Sequence, residues 1–169
     1  FFFFFLGTMH VYWTSIKHPL AATLSPRREH SHISDLVEAE DFSVIHLQDT
    51  KSTKEETPKL RAKLKVLFPN HVPIFNSKSR TEQAATTHSV LTLVHKSITK
   101  NMKIYTSNSA ETAGRIIMLR ITAEHAETPL YTANVYFPTC GDTTLTRYHL
   151  FEELIKLQAE AAANGGRLL

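Results

Sequence analysis

The spacing of apolar residues changes character partway along the chain, and that change restricts the fold more than any single motif does. Between Ser25 and Phe68 helical spacing alternates with one short apolar run; from Val90 to Phe137 strand-like runs follow one another; after Thr143 helical spacing returns. Ser25 is placed as an N-cap with Pro26 at the first helical position, and Ile33, Leu36 and Val37 fall on one face. This predicts a helix of about four turns, closed by Asp41. Phe42 to Leu47 then reads as a strand too apolar to be a surface ribbon. Thr57-Pro58 opens a second helix with Leu60, Leu64, Leu67 and Phe68 as its buried face and Pro69-Asn70 as its stop.

The second half is read differently. Val90 to His95, Arg115 to Ile121 and Leu130 to Phe137 are predicted as neighbouring antiparallel strands, separated by segments rich in turn formers. Thr143 or Thr144 caps a long helix whose Leu150, Phe151, Leu154, Ile155 and Leu157 are expected to face the core. Asn164-Gly165-Gly166 ends it, and Arg167-Leu168-Leu169 reads as the start of another strand. Helices alternate with strands early while strands cluster later. That order predicts an α+β chain with mixed sheets and helices packed outside, not a strictly parallel doubly wound sheet.

Composition narrows the class of function. With 169 residues, 42% of them apolar and 21% charged, the chain is long enough to bury a core and reads as one domain. A net charge of +3 with ten histidines allows an anionic partner without requiring one. The single Cys140 excludes an internal disulfide framework and a multi-cysteine zinc site, which suits a reducing, intracellular compartment. The phenylalanine block Phe1 to Leu6 loses its apolar character by His10, well short of the roughly 20 residues that cross a bilayer. No basic stretch precedes it and no small-residue cleavage site follows, so neither a membrane partner nor a secretory signal is expected. Residues 1–24 are set apart as an atypical N-terminal segment of weak order, and residues 25–169 as the domain. Dinucleotide, P-loop, zincin and nucleophile-elbow motifs are missing, and His30 and His32 would point to different faces of a helix.

Two constellations carry chemistry. Leu47-Gln48-Asp49-Thr50-Lys51 turns an apolar run abruptly into an amide, a carboxylate, a hydroxyl and an amine, as at a strand tip that presents a metal ligand; a buried strand leaving into a polar loop reads the same way. In Asn134-Val135-Tyr136-Phe137-Pro138 the amide and the phenol lie two residues apart, on one strand face, where both can reach a phosphate; the plainer reading is a packed aromatic and a proline stop. Gly114-Arg115 is a glycine turn with an arginine at the mouth of the next strand.

In this order the segments resemble the endonuclease/exonuclease/phosphatase family, which has the DNase I-like fold. Leu47-Gln48-Asp49-Thr50 is similar to the family's Leu-Gln-Glu-Thr, and Ser89-Val90-Leu91-Thr92-Leu93-Val94 to its Gly-Val-x-x-Leu-Val strand, with serine in place of glycine. Gly114-Arg115 matches its Gly-Arg turn and Asn134 to Pro138 its Asn-x-Tyr-x-Pro motif. The resemblance covers Ser25 to Leu169 and is nearest the non-LTR retrotransposon endonucleases, because the loops are short. It implies a DNase I-like α/β sandwich that hydrolyses phosphodiesters of DNA with Mg²⁺, or Mn²⁺. Asp49 would be the metal ligand and Gln48 its support; Tyr136 and Asn134 would bond the phosphate, with Arg115 a further electrostatic contributor.

The departures bear on activity. Asp49 is one methylene shorter than the family's glutamate, at a site where Mg²⁺ asks for oxygens at about 2.0 to 2.1 Å. The family's first-strand asparagine has no counterpart, since no asparagine precedes Asn70. Its Gly-Asp-x-Asn and Ser-Asp-His segments would fall beyond Leu169, so the resemblance implies the N-terminal part of a domain, incomplete at the C-terminus and weak or inactive alone. A non-catalytic module is the alternative, binding protein, or nucleic acid through Lys59, Arg61, Lys63 and Lys65. A phosphomonoesterase on the same scaffold is a third reading.

Overall fold

The structure, a computed structural model, describes residues 2–6, 9–15, 42–79, 89–107, 109–122, 127–137 and 144–169. The helix expected over residues 25–41 lies outside them, as do His30, His32, Pro138, Cys140 and Thr143. Two mixed sheets form. In the first, β1 (Phe2–Leu6), β2 (Met9–Ser15), β3 (Val44–Gln48), β5 (Ser89–His95) and β4 (His71–Ser77) lie side by side in that order. β3 runs parallel to β2 and antiparallel to β5. In the second, β6 (Met102–Thr106), β7 (Ile116–Ile121) and β8 (Leu130–Val135) are antiparallel, and the short β9 (Arg167–Leu168) lies parallel to β8.

Strand alternation sorts the core into layers. From the first sheet Tyr12, Ile45, Leu47, Leu91 and Leu93 face outward onto Leu60, Leu64 and Phe68, contributed by helix α1 (Thr57–Leu67) and its C-cap. Their sequence neighbours Val11, Val44, Val90 and Val94 face inward and meet Ile117, Leu119 and Ile121 of the second sheet. Behind the second sheet, Met118 and Tyr131 pack on Ala161 and Leu157 of helix α2 (Thr144–Ala163). A reciprocal pair leads into α1: Thr53 N–H donates to Glu56 Oε2 at 3.0 Å and Glu56 N–H to Thr53 Oγ1 at 3.3 Å, as in a capping box. At the end of α2, Gly165 takes φ 70° and Gly166 N–H donates to Ala161 O at 2.9 Å, which is the expected glycine stop.

Several expectations change. The run Val90 to His95 does not neighbour the other two predicted strands; it lies between β3 and β4 in the opposite sheet. It is buried on both faces, so its composition carries no trace of its partners. Phe151 and Ile155 are solvent-exposed, at 56% and 64%, whereas Leu150 is fully buried. Apolar residues occur on more than one face of α2: Leu150 and Ala161 are buried, Leu154 and Leu157 are half-buried, and Leu157 and Ala161 pack on the second sheet. The sequence also concealed β4 and β6. Pro73 breaks the pattern in β4 and is tolerated because that strand lies at an edge, and β6 is an exposed edge strand. Met9–Ser15, assigned no element from its sequence, contributes Val11 and Tyr12 to the core.

Candidate functional site

The C-terminal tips of β3 and β8 meet at one end of the sandwich. Gln48 faces inward and its Nε2 donates to the carbonyl of Val135 at 2.7 Å. In return, Asn134 Nδ2 donates to Leu91 O at 2.9 Å, to Leu47 O at 3.2 Å and to Thr92 Oγ1 at 3.3 Å. Asn134 is fully buried, and its Oδ1 has no hydrogen-bond partner among the described residues. Its amide hydrogens are spent on a tie between the sheets.

Arg115 reaches the same end because β7 starts where β8 finishes, with Ile116 opposite Val135. Tyr136 N–H donates to Arg115 O at 2.9 Å, and the guanidinium lies over the Tyr136 ring, 5.8 Å from its centroid. Asn76, on β4, holds the turn: its Oδ1 accepts from Gly114 N–H at 3.1 Å and its Nδ2 donates to Ile116 O at 2.8 Å. Gly114 takes φ 81°, a conformation that glycine adopts without a steric penalty. Gln48, Asp49, Asn134, Tyr136 and Arg115 thus come from distant segments to one end of the molecule.

Asp49 leaves β3 in a left-handed conformation with φ 54°, and Lys51 repeats it with φ 50°. The Asp49 side chain is 18% exposed, and Lys51 Nζ stands 3.8 Å from its Oδ2. Burial raises the carboxyl pKa, against the opposing pull of the Lys51 ammonium. A partly desolvated carboxylate gains from a cation. Mg²⁺ binds through as few as one or two carboxylates, with water and phosphate oxygens completing its shell, so Asp49 fits as a ligand. Among the described residues no group of three or more His, Cys, Asp or Glu gathers to hold a metal. The strand parallel to β3 presents Ser15 beside Gln48, where no asparagine stands.

One residue at this interface escaped the sequence reading. His46 is fully buried, with Nδ1 at 3.0 Å from Thr92 Oγ1 and Nε2 at 2.8 Å from Thr132 Oγ1, and it packs against Trp13 with ring centroids 5.1 Å apart. Burial pushes its pKa down from 6.5 to about 3. A histidine inside an apolar strand was the available signal.

No protein-family model matches the chain, and no curated protein matches it in sequence. Solved structures do match it in shape. The AP endonuclease LMAP from Leishmania major aligns with a TM-score of 0.52 at 17% identity, over 82% of this chain and 42% of that one. D. rerio TDP2, complexed with a single-strand DNA product, aligns with a TM-score of 0.55 at 12% identity, over 95% and 58%. The chain therefore spans about half the length of these structures. At such identities the likeness is one of fold, and the fold of this chain is the DNase I-like α/β sandwich.

Proposed function

We propose that the chain is a DNase I-like phosphodiesterase domain that engages a phosphodiester of DNA between the tips of β3 and β8, with a divalent cation, Mg²⁺ or Mn²⁺, at Asp49. The observation that carries this reading is the Gln48 to Val135 hydrogen bond at 2.7 Å, which fixes the Asp49 strand beside the Asn134 to Tyr136 strand. The single-strand DNA product held by one protein of this fold favours nucleic acid as the substrate class. The short segments between the motifs favour the retrotransposon endonuclease type among the possible relatives.

When bound, the cation would polarise a phosphoryl oxygen and offset charge on the leaving oxygen. Asp49 would hold it and Gln48 would fix the strand tip. The Tyr136 phenol would donate to a phosphate oxygen, and the Arg115 guanidinium would add positive potential behind it. A general base is the weak point. His46 is three residues from Asp49, but hydroxyls occupy both of its nitrogens and it faces no solvent. The described residues therefore support binding better than water activation, and cleavage by this chain alone is expected to be slow.

The test is nicking of supercoiled DNA with Mg²⁺, alongside binding of Mn²⁺ followed by water-proton relaxation. Weak nicking and Mn²⁺ binding that both disappear in Asp49→Ala, with weaker nicking in Tyr136→Phe, are the expected results. Mn²⁺ binding unchanged in Asp49→Ala would overturn the assignment, and robust Asp49-dependent cleavage would overturn the expectation of low activity. Binding through the basic helix gains less support, because Arg61 Nη1 donates to Pro73 O at 2.7 Å and its guanidinium lies 5.5 Å from the Phe75 ring centroid. That alternative predicts DNA affinity that falls steeply with salt and ignores Asp49.

A further inference from the structure

Ser89, one of the two positions that depart from the family pattern, belongs to a cluster of buried hydroxyls that takes in Thr50, the residue after the other such position, Asp49. Ser89 opens β5 and is fully buried. Its carbonyl accepts from Thr50 N–H at 2.9 Å, and its Oγ accepts from Ser52 N–H at 2.8 Å. The same Oγ lies 2.6 Å from Thr50 Oγ1 and 3.1 Å from Ser52 Oγ. Thr50 Oγ1 and Ser52 Oγ are 3.0 Å apart, and Ser52 Oγ reaches Ser77 Oγ at 3.2 Å. Three partners fill the one donor and two acceptor positions of the Ser89 hydroxyl.

This hub grips the two alternate residues of the loop that leaves β3. Thr50 lies between Asp49 and Lys51, both non-glycine residues in the left-handed region. Such residues keep that conformation where their surroundings over-determine it, and the hydroxyl cluster does so here. A glycine at position 89 would leave the backbone carbonyl alone to accept from Thr50, and would remove the acceptor for Ser52 N–H.

We propose that Ser89 is a positioning residue for Asp49: through Thr50 and Ser52 it sets the turn that directs the shortened carboxylate toward its cation. This rests on the reading of Asp49 as a cation ligand. The effect belongs to alignment of the ligand, and outer partners of metal ligands typically change affinity by about 10 to 100-fold. Ser77 is the internal control, because it stands opposite Ser89 on β4 while, among the described hydroxyl contacts, its own hydroxyl reaches Ser52 Oγ and neither that of Thr50 nor that of Ser89.

The experiment uses the full chain and Mn²⁺ alone as the probe, with affinity read by water-proton relaxation and folding by denaturant titration. Ser89→Ala is expected to weaken Mn²⁺ binding about tenfold or more. Ser77→Ala should leave it near the wild-type value even where stability falls. Thr50→Val breaks the same contact from the other side and decides the matter if Ser89→Ala does not fold. Wild-type Mn²⁺ affinity in Ser89→Ala, or an equal loss in Ser77→Ala, overturns the positioning role while leaving Asp49 as ligand. Mn²⁺ that binds Asp49→Ala normally, or does not bind the wild type, overturns the ligand reading and this inference with it.

Discussion

His46 is held neutral between two threonines, in a strand whose other inward contacts are largely apolar, and this has a direct cost in acid. Its folded pKa of about 3 lies below its unfolded value of 6.5, so the unfolded chain binds the extra proton first. The contribution of this histidine to stability is therefore complete above pH 6.5 and is lost as pH falls from 6.5 toward 3. Between pH 7 and pH 4.5 the loss should be roughly 2.5 kcal/mol. His46→Gln is expected to be less stable than wild type at pH 7 but to depend less steeply on pH over that interval. Urea midpoints at the two pH values check this, and parallel slopes would count against it. Gln48 and Asp49 stand out in the sequence because polar chemistry there ends an apolar run. The tying role of Asn134 was hidden, because its partners Leu91 and Leu47 are 43 and 87 residues away.

Helix α2 separates what periodicity can show from what packing decides. Its existence and glycine stop were legible in local sequence; the choice of face was not, since the sheet below sets it. Leu150→Ala should cost about 2 to 5 kcal/mol, whereas Ile155→Lys, at a site 64% exposed, should shift stability by less than about 0.5 kcal/mol. Chemical denaturation of both variants tests the face assignment, and the reverse ranking would refute it. A polar contact secures the same helix to the loop between β6 and β7. Thr112 Oγ1 donates to Glu153 Oε2 at 2.6 Å, and Thr112 also bonds Ser107 and Ser109. Thr112→Val is expected to lose about 1 to 3 kcal/mol, the usual range for a buried group left without its charged partner.

Across the whole molecule, the sheets meet through apolar packing over β7 and through directed bonds over β8. Val11, Val44, Val90 and Val94 pack on Ile117, Leu119 and Ile121, while Trp13 Nε1 to Ala133 O at 3.2 Å, the His46 contacts, Asn134 and Gln48 form a polar seam over β8. Asn134→Leu should destabilise by roughly 2 to 4 kcal/mol, since it leaves buried carbonyls without their donor. Unfolding followed by tryptophan fluorescence should detect the loss, Trp13 being the chain's single tryptophan. An unchanged midpoint would show that the seam contributes little.

The strict alternation along β8 also makes its length matter more than its chemistry. Thr132 and Asn134 serve the seam, while Tyr131 and Ala133 serve the layer beneath α2. A one-residue insertion or deletion inside Leu130–Val135 would exchange these two rows for part of the strand and fail on both sides together. Point substitution and change of length are thus unequal routes of divergence: a lineage carrying this gene can alter a strand-tip residue such as Asp49 and keep its architecture, but it cannot lose a codon from this strand and do the same.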